Sequence, residues 1–165
     1  MKKVLVLLFV AMALIGLSCQ STVSGAVIEG EVTQEKVDKA LEQIYSAFSG
    51  KLDLSGAQNY TVVSGDTLSG IARRFYGDLT GVGKAGPSNG FYFPVIMLAS
   101  SNAGIADPER IEPGMKLTIP DLKKNLDNSA ARQAIKDCLK DFSYVYDKKG
   151  RDAEKQGLAD LANSL

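Results

Sequence analysis

Tyr60-Thr61-Val62-Val63-Ser64-Gly65-Asp66-Thr67-Leu68-Ser69-Gly70-Ile71-Ala72-Arg73-Arg74-Phe75-Tyr76-Gly77 is the stretch whose reading decides the fold. Tyr60 to Val63 are aromatic or β-branched, which favours a strand. Ser64-Gly65-Asp66 ends it, because glycine tolerates positive φ and short polar side chains bond the local backbone. Asp66 stands where a helix N-cap belongs, within reach of an N–H near Ser69. Leu68, Ile71, Ala72 and Phe75 then recur at helical spacing. Arg73 and Arg74 suit the negative end of the helix dipole, and Gly77 suits its stop.

A second half complements the first. Phe93 to Asn102 reads as a helix, with Pro94 tolerated in its first turn. Glu112-Pro113-Gly114-Met115 has the residues of a type II turn, and Lys116 to Ile119 reads as a short strand ended by Pro120. The order is strand, helix, helix, strand. Two strands this short are best satisfied side by side, with both helices on one face. The fold class expected is therefore α+β, a βααβ unit with a two-stranded antiparallel sheet.

These residues resemble a lysin motif (LysM) domain over residues 59–121. The resemblance rests on the Tyr-Thr-Val strand, Gly65-Asp66-Thr67-Leu68-Ser69 with Ile71-Ala72, the Tyr76-Gly77 stop, and Ile111 to Pro120. The run Leu79 to Phe93, with Gly81, Gly83, Gly86 and Gly90, is longer than the usual connection and reads as an insertion. The resemblance implies binding of N-acetylglucosamine-containing glycans, with peptidoglycan the expected polymer. It places the glycan between two loops, 64–68 and about 102–111. The glycan-binding residues it implies are Ser64, Gly65, Asp66, Thr67, Leu68, Asn102, Pro108 and Ile111. Phe91, Tyr92 or Phe93 could add an aromatic face. Each of the motif residues also has a purely structural explanation, in turn, cap or core.

The remainder reads as address, anchor and packing. Lys2-Lys3 precede Val4 to Leu17, uncharged, mostly apolar, and shorter than the roughly 20 residues a spanning helix needs. Residues 1–18 thus read as a signal peptide. Ser18-Cys19 resembles a lipoprotein cleavage site, which makes Cys19 the expected lipidation site and residues 19–32 a tether. Gly16 stands where Leu is typical. The alternative is an ordinary secretory signal cut near Ser24-Gly25-Ala26. The chain is expected in a bacterial cell envelope, lipid-anchored and facing the periplasm, or else soluble there. Residues 33–50 read as an amphipathic helix capped by Thr33, with Val37, Ala40, Leu41, Ile44, Tyr45 and Phe48 on one face. Leu122 to Asp127 reads as a charged connection. Residues 128–165 read as helical, with Ala131, Ile135, Cys138, Leu139, Phe142, Val145 and Tyr146 on one face. The helices 33–49 and 129–147 are expected to pack together beside the motif.

Composition limits the chemistry. The 165 residues carry 19 basic and 19 acidic side chains. Loss of Lys2 and Lys3 with a signal leaves a slightly acidic chain, without the charge expected for nucleic acid. No histidine is present, which removes Ser-His-Asp and Cys-His systems and histidine zinc sites. The two cysteines, Cys19 and Cys138, cannot build a structural zinc site alone. The glycines at 81, 83, 86 and 90 do not follow a strand of a βαβ unit, so they form no phosphate loop. Neither catalytic residues nor a metal or other cofactor is expected. A second reading keeps the flanking helices as a surface for an envelope protein partner, with a degenerate motif as scaffold.

Overall fold

The computed structural model describes residues 22–77, 87–100 and 104–165. Its elements are α1 (Gln34–Phe48), β1 (Gln58–Thr61), α2 (Leu68–Tyr76), α3 (Phe93–Ser100), β2 (Lys116–Ile119), α4 (Leu122–Asp127), α5 (Ser129–Lys148) and α6 (Asp152–Ser164). A 3-10 turn over Pro87–Tyr92 leads into α3, and another spans Pro108–Arg110. The signal region and Cys19 lie outside the described residues, as do Asn102 and residues 79–86 of the expected insertion.

The expected α+β architecture is present. β1 and β2 pair antiparallel, with Gln58 opposite Ile119 and Thr61 opposite Lys116. The strand begins two residues earlier than Tyr60, yet its hydrogen bonding continues past Thr61. The Val62 N–H donates to Met115 O at 2.9 Å, and the Gly114 N–H to Val62 O at 2.8 Å. The turns after β1 and before β2, both at the Thr61–Lys116 end of this ribbon, use glycine where φ is positive, +88° at Gly65 and +93° at Gly114. An L side chain at either would be strained.

α3 decides how the rest is arranged. Val95, Ile96, Met97 and Leu98 are consecutive and all essentially inaccessible. A helix apolar all round must be covered all round. α2 and β2 pack against α3, and so do α1 and α5. The helices outside the motif are thus layered onto it and share one continuous core, rather than forming a separate unit beside it. Phe93 stands edge-on to Phe142 and Tyr146 of α5, at 5.8 Å between ring centroids in each case. Each such fully buried side chain contributes about 1.5–3 kcal/mol.

Three local expectations are corrected. Part of the expected tether is docked: Ala26 and Ile28 are buried in the core. The buried Asp141 carboxylate of α5 accepts from the Val23 and Ser24 N–H groups, at 2.8 Å each. Leu122 to Asp127 is a helix rather than a connection. Asp121 caps it by accepting from Lys124 N–H at 3.0 Å, while Leu122 and Leu126 are buried one turn apart. Asp66 is not the cap of α2. Thr67 is, accepting from the Gly70 N–H at 3.1 Å.

Candidate glycan-binding cleft

Freed from capping, Asp66 organises the turn between β1 and α2. Its Oδ2 accepts from the Tyr60 hydroxyl at 2.6 Å and from the Val63 N–H at 2.9 Å. Arg74 of α2 donates to Asp66 Oδ1 at 3.2 Å and to the Tyr60 hydroxyl at 2.5 Å. The Tyr60 hydroxyl, the Val63 N–H and the Arg74 charge together hold the Asp66 carboxyl below its ordinary value of 3.8. The network fixes the start of α2, whose first-turn N–H groups have no helical acceptor. Thr67 takes that of Gly70, and those of Leu68 and Ser69 have no acceptor among the described residues.

The opposing loop is held still more firmly. Asp107 is buried and caps the Pro108–Arg110 turn, accepting from the Glu109 N–H at 2.9 Å. It also accepts from Gln34 of α1 at 2.9 Å and pairs with Lys149 after α5 at 3.1 Å. Burial pushes its carboxyl up, but the Glu109 N–H, Gln34 and Lys149 outweigh that and keep it below 3.8. Glu109 joins Lys149 at 2.7 Å and Arg151 at 2.8 Å, and Arg151 also pairs with Glu154 of α6. Arg110 pairs with Asp38 of α1 at 2.6 Å. Exposed pairs of this kind each contribute little energy. Together they tie the loop to α1 on one side and to the α5–α6 corner on the other.

Between these loops lies a cleft of about 590 Å³. Asp66, Thr67, Leu68, Pro108 and Ile111 line it, so five of the eight expected glycan-binding residues come together. Ser64 and Gly65 sit in the adjoining turn and are not part of the lining. Asn102 lies outside the described residues. Phe91 and Phe93 contribute to the lining, whereas Tyr92 is wholly buried and makes an edge contact with Tyr76.

The motif makes only one side of this cleft. Tyr146, Arg151, Ala153 and Glu154 form the other. The wall is seated by Gly157, one turn along α6, which packs directly on the Phe91 ring. A Cβ built at Gly157 would come within 2.2 Å of that ring. Nothing in the sequence pattern of α6 announces this role. The one available signal is Gly157 itself, a poor helix former inside a helix, which marks a close approach.

The strand, helix, helix, strand unit around one side of the cleft is that of a LysM domain. Residues 60–84 and 94–120 match the family model for the LysM domain, and this chain carries one. The match is interrupted within the run expected as an insertion. The chain is also 29% identical over 118 residues to esterases from two strains of Mycobacterium tuberculosis. That alignment covers 65% of this chain and 23% of each esterase, so the chain corresponds to less than a quarter of those proteins. No solved structure matches the chain.

Proposed function

We propose that this protein binds N-acetylglucosamine-containing glycan strands of peptidoglycan, without catalysis, in the cleft between its LysM domain and α6. One observation carries the reading: two loops far apart in sequence, 66–68 and 108–111, face each other across a cleft with apolar and polar parts. An N-acetyl sugar presents a methyl, an amide carbonyl and an amide N–H. Leu68, Ile111, Phe91 and Phe93 suit the methyl and the sugar face. The first-turn N–H groups of Leu68 and Ser69 suit the carbonyl.

Binding without turnover fits a binding module in a chain that has no histidine. The activity in the relatives' name is not transferred, since the shared region is a minor part of each. The basic start and apolar run before Ser18-Cys19 support export and a lipid on Cys19, which would hold a single weak module near its polymer. Residues 22–28 pack on α5, so such an anchor would act on a docked segment rather than a free tether. The partner-binding alternative finds less support. The apolar faces of α1 and α5 are used in the core, and the large exposed apolar side chains among the described residues are Val23, Val27, Val32, Leu54 and Val63.

The test is sedimentation of the full chain with purified insoluble peptidoglycan, beside Ala153→Trp. Ala153 is exposed on α6 and lines the cleft, so tryptophan there fills the cleft without touching the core. The wild type is expected to sediment and the folded variant to remain in solution. A folded wild type that stays in solution would reject the proposal.

A further inference from the structure

We infer that Arg73 makes the cleft selective for N-acetyl glycans that carry a carboxylate, as muramyl sugars do, over neutral N-acetylglucosamine polymers. The inference rests on the glycan reading above and names the ligand more narrowly. The charged residues lining the cleft are Asp66, Arg73, Glu109, Arg151 and Glu154. Four of them are already engaged. Asp66 holds Arg74, Glu109 holds Lys149 and Arg151, and Glu154 holds Arg151. Among the described residues Arg73 alone of the five has no carboxylate within ion-pair distance.

Its position is built. The Arg73 guanidinium lies over Gly90: a Cβ there would stand 3.4 Å from Arg73 Nη2 and 3.2 Å from Ser69 O. Gly90 precedes Phe91, whose ring rests on Gly157 of α6. The guanidinium therefore stands beside the aromatic lining, close to the wall that α6 adds. A sugar whose acetamido group meets Leu68 and Ile111 would bring a ring substituent toward Arg73. A guanidinium with five donors and, among the described residues, no acid paired with it favours a carboxylate there. A neutral hydroxyl in the same place gains less, because its hydrogen bond carries no charge assistance.

Calorimetry on the full chain with two tetrasaccharide probes tests this. One is the neutral N-acetylglucosamine tetramer; the other alternates N-acetylglucosamine with N-acetylmuramic acid bearing free lactyl carboxylates. The wild type is expected to bind the acidic probe about three- to tenfold more tightly. That preference should shrink between about 0.05 M and about 0.5 M salt, as screening lengths shorten. Arg73→Gln should abolish the preference by weakening the acidic probe more than the neutral one, and Arg73→Lys should restore part of it. Arg73 is exposed, so both variants should keep the wild-type circular dichroism spectrum. Equal affinities in the wild type, or a preference that survives Arg73→Gln, would overturn the inference and leave the glycan reading intact. No binding of either probe, together with no sedimentation on peptidoglycan, would overturn both.

Discussion

Asp66 and Thr67 show how one residue's displacement changes what a turn does. Both are good N-caps, and sequence alone favours neither strongly. The structure gives the cap to Thr67 because the Asp66 carboxylate has three better donors: the Tyr60 hydroxyl, the Val63 N–H and Arg74. Two of these depend on strand and helix being in place, so the arrangement was not legible locally. Asp66 and Asp107 both have folded pKa values below 3.8. A carboxyl lowered on folding stabilises the fold above its unfolded pKa, and that contribution disappears as pH falls through the folded value. Thermal melts between about pH 6 and about pH 2 should show stability falling below about pH 4. Asp107→Asn should lose part of that slope and cost about 1–3 kcal/mol at neutral pH, because Gln34 and the Glu109 N–H lose a charged acceptor. A slope unchanged by the substitution would place the linkage elsewhere.

At the scale of elements, strands and long helices were legible because their signals are periodic or compositional. The helix 34–48, its Thr33 cap and the strand Lys116–Ile119 fall where the pattern puts them. α4 was not legible, because Leu122 and Leu126 give a single helical repeat amid lysines and cannot establish a period. The uniform apolarity of Val95 to Leu98 is consistent with a helix covered on every side, but it does not say by what. α6 shows the same limit: Leu158 and Leu161 announce a buried face, while the side that walls the cleft has no period. Its seating is testable. Gly157→Ala should force the Phe91 ring aside, since the added carbon would lie far inside contact distance. The expected cost is about 1–3 kcal/mol in chemical denaturation. Because Phe91 also lines the cleft, glycan affinity should fall with it. A variant as stable as wild type with unchanged affinity would show that α6 does not shape the cleft.

Across the whole molecule, the flanking segments make the LysM domain part of a larger single core. α3, the motif's second helix, packs on α1 and α5 as well as on α2 and β2, and the segment 22–28 closes over α5. Asp141 is the fastening of that segment, buried and accepting two backbone N–H groups. Asp141→Ala should free residues 22–28, with faster hydrogen exchange at Val23 and Ser24 and a loss of about 1–3 kcal/mol. Unchanged exchange there would mean that Ala26 and Ile28 hold the segment unaided. This docking had no sequence signal, since Ser, Thr and Gly around residues 20–30 describe a flexible linker equally well. The cleft was half legible for a related reason. The residues contributed by the motif could be named from its resemblance, whereas the α5–α6 wall depends on where helices outside the motif pack.

The most direct test of the central claim is a titration of the isotope-labelled chain with a peptidoglycan glycan fragment, followed through backbone amide shifts. The account predicts that Thr67, Leu68 and Ile111 shift together with Arg151, Ala153 and Glu154, with the same saturation curve. Shifts restricted to the motif side would reduce α6 to a support. Shifts elsewhere, or none at saturating fragment, would contradict the cleft as the glycan site.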